Sequence, residues 1–341
     1  MKKYLLPKEG NFYKANLHCH TTLSDGRLTP EEVKEFYKNR GYSIVAYTDH
    51  DILIPHDDLN DENFLALNGY EIAVTDNTVN QFVNQRHCHI CFIGLEQDNL
   101  VQPFWNPRYA RIGNAPKYAP LVKFDENEPT DFPQIYGSEC INMMIRGCRD
   151  KGFFVTYNHP AWSLESYPEY MSYNGMHAME LFNGGCIAAG FQDYNPQVYD
   201  DMLRGGKRIY CIGADDNHNH ASRDSRRYDS GWAWTVIKAD SLNYRTVTKA
   251  LEDGNFYASN GPEIYELWYE NGKVHIKCSD SDRIVCNYNN RSAEVEYSEH
   301  GEPLTEATFN APSDRTYFRI TVIDRQGQHA CTNAYFINEL I

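Results

Sequence analysis

The 341-residue sequence has no apolar run approaching the roughly 18 residues of a membrane-spanning helix. Its opening, Met1 to Tyr13, carries a basic pair but no apolar stretch of about 7–15 residues, so no signal peptide is expected. There is no Gly-x-Ser-x-Gly elbow for an acyl-transfer serine, no Walker loop and no Gly-x-Gly-x-x-Gly. No internal repeat is visible. Basic residues are in deficit, 32 against 47 acidic, for a net charge of −15. Such a chain has no electrostatic reason to hold a phosphate backbone, which argues against bulk nucleic acid as a partner and leaves a small phosphorylated substrate open. The ten cysteines follow no disulfide-like spacing, and several sit inside apolar runs such as Tyr210-Cys211-Ile212. Reduced thiols in a cytoplasmic protein are the expectation. Cys88 and Cys91 form a CxxC, but a redox dithiol wants that motif at a helix start, and His87–Leu95 reads as a strand.

What is present is ordinary globular composition: 41% hydrophobic, 23% charged and 13% aromatic residues, which sets aside collagen-like, coiled-coil and disordered classes. The length suits two domains, or one large barrel with an appendage. Up to about residue 260, β-type runs (14–20, 43–49, 64–73, 87–94, 153–158, 177–182 and 208–213) alternate with helical segments. The clearest helix opens at Thr29-Pro30-Glu31-Glu32, which supplies an N-cap, a proline at the first helical position and a capping-box glutamate. Others are expected near 139–150, 196–203 and 244–252. This alternation predicts an α/β fold built on a parallel sheet or barrel. After Gly261-Pro262 the texture turns to short strands, including a hairpin on Asn271-Gly272. The expected division is residues 1–260, then a small all-β domain, 261–341. Residues 99–137 hold six of the 15 prolines together with Trp105 and Phe124, and read as an ordered cover over a site. Arg108 and Arg111 lie within it and are candidates to close over substrate.

The histidines carry the chemistry. His18-Cys19-His20 ends the first strand, where alternation puts both imidazoles on one face. Asp25 follows in Ser24-Asp25-Gly26. The second strand ends in Thr48-Asp49-His50-Asp51, the third carries Glu71, the fourth His87 and His89. The fifth ends in Asn158-His159-Pro160, and the seventh runs into Asp215-Asp216-Asn217-His218. In βα barrels the active site is built at the C-terminal ends of the strands. A nitrogen and oxygen donor set of this size suits two or three divalent ions, Zn, Mn or Fe in preference to Ca or Cu(I). His56, His177, His275, His300 and His329 read as core or surface residues, and His87 as ambiguous.

These motifs, in this order, resemble the PHP (polymerase and histidinol phosphatase) superfamily over about residues 14–260. The β-rich tail resembles PHP-type phosphoesterases with a C-terminal β-domain. The resemblance implies a distorted seven-stranded βα (TIM-like, PHP-type) barrel and up to three ions. His18, His20, Glu71 and Asp216 would hold one; Glu71, His89 and His159 a second; Asp25, His50 and His218 a third, the last three residues being the implied catalytic set. The family's Gly-x-Asp-x-His reads here Gly213-Ala214-Asp215-Asp216-Asn217-His218. Asp216 keeps the spacing to His218, Asp215 the spacing from Gly213, and Asp216 is favoured. The implied reaction is hydrolysis of a small soluble phosphomonoester or nucleotide by metal-activated hydroxide. Asp215 and His220 are candidates for the leaving-group acid. Arg223, Arg226 and Arg227, following the last ligand strand, are candidates for substrate phosphate. A metal-dependent amide or ring hydrolase and a metal-bound, non-catalytic binding module are the alternatives; Ser24-Asp25-Gly26, Thr48-Asp49-His50 and the lack of an obvious metal-bridging lysine argue against the first.

Overall fold

The computed structural model describes residues 2–341. Local signals act where the sequence places them. Thr29 accepts a hydrogen bond from Glu32 N, and Glu32 reaches back to Thr29 N at 2.9 Å, which starts the helix Pro30–Lys38. That helix buries Val33, Phe36 and Tyr37 against the Tyr42–Tyr47 strand and its neighbours. Helices Ser138–Asp150, Pro196–Arg204 and Tyr244–Glu252 likewise put one apolar stripe on the sheet.

The main sheet carries 14 strands. Its ligand-bearing half runs Asn11–Asn16, Tyr42–Tyr47, Leu65–Thr75, His87–Gly94, Phe153–Tyr157, Ala178–Asn183, Tyr210–Ala214. The first three are mutually parallel, as are the last three. The expectation of a parallel sheet fails in the middle. His87–Gly94 is antiparallel to both neighbours, with Glu71 opposite Cys91 and Ile90 opposite Tyr157. The 76–86 connection is too short for a crossover helix and holds only the 3-10 turn Phe82–Asn84, so the chain must double back as a hairpin.

The sheet is mixed and is not closed by a ladder of hydrogen bonds. Its first and last ligand-bearing strands are joined instead by a few contacts beyond their ends. Cys19 and Asn217 form an isolated parallel bridge, Asp216 N donates to His18 O at 3.0 Å, and His20 N donates to Asn217 O at 3.1 Å.

The sheet continues past Asn11–Asn16 through Trp234–Ala239 and Phe256–Ser259 to His329–Thr332, Tyr317–Ile323, Arg283–Tyr288 and Ala293–Tyr297. A second sheet orders Lys3–Tyr4, Ile264–Glu270, Lys273–Ser281 and Leu304–Asn310. Leu267, Ile276 and Phe309 from this sheet share a core with Ile284, Ile320 and Val322 from the first, in the manner of a sandwich. Asn271 and Gly272, with φ of 50° and 76°, make the left-handed turn of the hairpin Ile264–Ser281.

Residues 99–137 are ordered against the ligand-bearing loops. Trp105, Ala110, Ala115 and Val122 are buried with Leu23 and Ile52. Gln102 accepts from Leu53 N and donates to Asp51 O, while Asn114 N donates to Ser24 O at 2.7 Å. Gly113 (φ 54°) lies so close to Ser24 that a β-carbon would sit 2.1 Å from its carbonyl oxygen, so only glycine allows this crossing.

Candidate metal centre

His18 and His20 lie beyond the Asn11–Asn16 strand, in extended chain held by the Cys19 bridge. His50 follows Tyr42–Tyr47 and bridges to Glu71. His159, Asp216 and His218 also follow strand ends. Glu71 and His89 are the exceptions: Glu71 lies within Leu65–Thr75, and His89 sits near the start of its strand. That strand runs backwards, so its N-terminal half reaches the face where the other strands end. Asp25 comes from the loop braced by Asp49, which accepts from the backbone and hydroxyl of both Thr21 and Ser24 at 2.6–3.1 Å.

Glu71 is the hub. Its Oε1 is 3.1 Å from His18 Nε2, 3.2 Å from His89 Nδ1 and 3.6 Å from His159 Nε2; its Oε2 is 3.1 Å from His50 Nδ1 and 3.5 Å from His20 Nε2. Asp216 is the second hub. Oδ1 is 3.2 and 3.0 Å from the Nε2 atoms of His18 and His20, and Oδ2 is 3.6 Å from His159 Nε2. Asp25 Oδ1 lies 3.5 Å from His218 Nε2 and 3.8 Å from His50 Nε2. The donors fall into sets whose ligand atoms lie within 4.8 Å of one another: His20, Asp25, His50 and His218; His18, His159 and Asp216; Glu71, His89 and His159; and His18, Glu71 and Cys91. All nine residues expected as ligands are therefore in one cluster. His20 joins the Asp25 set, its ring stacked at 4.3 and 4.4 Å on those of His50 and His218. Cys91 was not foreseen as a ligand.

The donor set fits divalent cations. His20 Nδ1 and Asp25 Oδ1 are buried without hydrogen-bond partners, and His50 Nδ1 and Glu71 Oε2, 3.1 Å apart, are not aligned for a hydrogen bond; a folded protein rarely leaves such groups without a use. His159 (φ 24°) and Asp216 (φ 51°) hold backbone conformations that side-chain-bearing residues avoid, strain of the kind that collects at functional sites.

The electrostatics match a site arranged for positive charge. Burial alone would raise the Glu71 and Asp216 carboxyls, but the surrounding histidines, led by His89 for Glu71 and His18 for Asp216, hold both below the usual carboxylate range. Burial would lower His18 and His159. Asp216 and its neighbours instead raise His18 well above its ordinary value, and the nearby Glu71 carboxylate, with Asp216 and Glu180, lifts His159 to about 9. His50 goes the other way, to about 3, through burial and the adjacent His20.

Sequence reasoning missed Glu180. It is fully buried mid-strand in Ala178–Asn183, with Oε1 2.7 Å from His18 Nδ1 and Oε2 accepting from His159 N and Asn183 Nδ2, each at 2.9 Å. A single acid in the run Ala178-Met179-Glu180-Leu181-Phe182 was the available signal. Asn158 Nδ2 similarly donates to Glu71 Oε1 at 2.9 Å. Asp215 faces away from the cluster. It accepts from Gly231 N, Trp232 N, Ala233 N and Tyr37 OH, and burial pushes its carboxyl up to about 6, so Asp216 alone of the pair faces the donor cluster and Asp215, turned away from it, is not placed to serve as a leaving-group acid.

A cavity of about 490 Å³ opens over the cluster, with Asp25, His50, Glu71, His89, His159, Asp216 and His218 on its floor and Phe82, His87, Trp162, Ile112 and His220 on its walls. His87 stays outside every donor set; its Nδ1 is 3.0 Å from Thr75 Oγ1. Asp25 and His218 are the solvent-facing ligands, with side chains 29% and 24% exposed where Glu71 shows none. Arg223, Arg226 and Arg227, expected near the substrate phosphate, are all exposed and none lines this cavity; Arg223 lies over the Phe36 ring at 5.8 Å. Arg108 and Arg111 line a neighbouring cavity instead.

No family model matches the sequence, and no curated protein matches it. Solved structures do. One, from Bacteroides vulgatus ATCC 8482, is a two-domain protein containing a predicted PHP-like metal-dependent phosphoesterase, 14% identical over 94% of both chains with a TM-score of 0.44. A candidate metal-dependent phosphoesterase from Bifidobacterium adolescentis ATCC 15703 is 16% identical, covering 64% of this chain and 92% of its own, with a TM-score of 0.38. An amidohydrolase from Chromobacterium violaceum, with bound sulfate and no metal, is 16% identical over 60% of this chain and 87% of its own, with a TM-score of 0.37.

Proposed function

We propose that this chain is a metal-dependent phosphoesterase that hydrolyses a small soluble phosphomonoester or nucleotide. One observation carries the reading: three donor sets overlap through Glu71, His18 and His159, and a fourth, His20, Asp25, His50 and His218, lies beside them, an arrangement suited to two or three closely spaced divalent cations, Mn, Zn or Fe. Asp25, Glu71 and Asp216 are the carboxylates in those sets, with Cys91 and the adjacent Glu180 as further anionic groups, so a site loaded with three divalent ions would be net positive and would complement a phosphate dianion better than a neutral amide. Bound cations supply activation of water near neutral pH and neutralisation of charge on phosphoryl oxygens.

The chain's own residues do the rest. Glu180 fixes the His18 ring through Nδ1, leaving Nε2 for the site. Phe82, His87 and Trp162 wall the cavity and exclude water from one side. Asp25, His50 and His218 stand where substrate enters. Arg27 Nε donates to His220 Nδ1 at 3.1 Å, which turns Nε2 of that ring into the hydrogen-bond donor available to a leaving-group oxygen. The seven strands from Asn11–Asn16 to Tyr210–Ala214 read as a distorted barrel joined at its ligand end by the Cys19 and Asn217 contacts, with residues 1–260 and 261–341 as two domains. Ten free, buried cysteines suit the reducing cytoplasm. Among the described residues no helix is long and apolar enough to cross a membrane.

The test is phosphate release by protein purified without chelator and supplied with Mn, Zn, Fe or Mg. The substrates are an aryl phosphate, nucleotides, sugar phosphates and one aryl amide, with His50→Ala as control. Metal-dependent release that disappears in the variant is expected. Tight metal binding with cleavage of the amide alone, or of nothing, overturns the reading.

A further inference from the structure

We propose that Arg108 and Arg111 form a second anion subsite beside the metal centre, so that the preferred substrate is a hydroxylated phosphate ester bearing a second anionic group. For the reaction this rests on the phosphoesterase reading; for binding it does not. The subsite is a cavity of about 390 Å³ that shares Ala73, Thr75 and Ile112 with the cavity over the metal ligands. Arg108 and Arg111 line it, both exposed, and among the described residues neither is ion-paired, in a chain where acids outnumber bases 47 to 32. Two guanidinium groups lining one cavity offer planar, bidentate donor pairs to a phosphate or carboxylate.

The opposite chemistry is present in the same cavity. Asp51 and Gln134 line it, each more than nine-tenths buried, and Asp51 Oδ1 and Gln134 Oε1 have no hydrogen-bond partner. Buried acceptors left open call for donors from outside the chain, and hydroxyl groups supply them. An anion alone would leave these oxygens unused; a neutral polyol would leave the arginines unused. A ligand with both kinds of group uses all four side chains. The wall is already set before ligand arrives. Gln134 N donates to Tyr109 OH at 2.9 Å, Arg108 N donates to Asn106 Oδ1 at 3.0 Å, and Gln102 ties the segment to Asp51 O and Leu53 N. Such pre-organisation lowers the entropy lost on binding.

The experiment compares kcat/KM of the metal-loaded full-length protein on matched pairs: fructose 1,6-bisphosphate against fructose 6-phosphate for a second phosphate, and 3-phosphoglycerate against glycerol 3-phosphate for a carboxylate. The wild type is expected to prefer the doubly anionic member of at least one pair by about tenfold or more, mainly through KM. In Arg108→Gln/Arg111→Gln that ratio should fall to about one. Equal rates within both pairs, or a preference that survives in the double variant, overturns the proposal. An equal loss on both members also overturns it, because the arginines would then serve the scissile phosphate. If no ester is cleaved, the phosphoesterase reading fails and the subsite is judged by calorimetry on metal-free protein with the same four compounds. About tenfold weaker binding of a doubly anionic member to the double variant supports it, and identical binding to both proteins refutes it.

Discussion

Glu180→Gln separates a residue that orients a ligand from one that merely fills the core. Three donors converge on the carboxylate: His18 Nδ1 at 2.7 Å, and His159 N and Asn183 Nδ2 at 2.9 Å. Glutamine keeps the shape but offers one acceptor oxygen and turns an NH2 group toward the remaining donors. The His18 ring then loses the bond that fixes its proton on Nδ1 and its Nε2 toward Glu71 and Asp216. Loss of such an outer carboxylate costs about 10- to 100-fold in metal affinity, or roughly 1.4–2.8 kcal/mol. The metal-free protein should be affected less, because removing one of three neighbouring buried acids also relieves repulsion among Glu71, Asp216 and Glu180. Competition with a chromogenic chelator gives the affinity, and thermal unfolding with and without metal gives the two stabilities. An intact fold with metal affinity within about twofold of wild type would refute the orienting role.

Other outcomes follow from the same geometry. Metal uptake must displace the proton that His159 holds up to about 9, so affinity should rise with pH below that value, by about tenfold per pH unit for each proton released; a flat profile between about pH 6.5 and 8.5 would contradict this. Asp215→Asn should cost about 2 kcal/mol or more in denaturant unfolding, since three backbone donors and Tyr37 lose their charged acceptor, while metal content stays near wild type; Asp216→Asn should show the converse. Glu165, buried beneath the hydroxyls of Tyr136, Tyr157 and Tyr173, has its carboxyl pushed by burial from 4.5 to about 7. Its folded value exceeds its unfolded one, so its contribution is complete below about pH 4.5 and is lost as pH rises through about 7, by roughly 3 kcal/mol. Glu165→Gln should remove that slope, as read by denaturation at about pH 5 and pH 8, and an unchanged slope would refute the assignment. Removing metal with chelator should lower Tm, since ligands that bind only the folded state stabilise it by mass action.

What the sequence by itself determined is what short-range chemistry encodes. The Thr29-Pro30-Glu31-Glu32 start, the Asn271-Gly272 hairpin and the apolar stripes of the helices depend on neighbours a few residues apart. The candidate donors were legible too, because histidines and carboxylates at strand ends repeat along the chain, and the structure brings all nine together. The tertiary structure decided what depends on direction and on partners distant in sequence. The backward run of His87–Gly94 follows from a connection too short for a helix, and it alone brings His89 to the ligand face. Which of Asp215 and Asp216 turns inward was set by Tyr37 and the 231–233 backbone, which claim Asp215. Glu180 became visible as a partner of His18 only across 162 residues. The arginines nearest the last ligand in sequence turn outward, while Arg108 and Arg111, more than 100 residues from His218, line the neighbouring cavity. Residue identity sets which chemistry is available, but a side chain's face and company come from packing, where burial and hydrogen-bond satisfaction are settled between segments far apart in the chain.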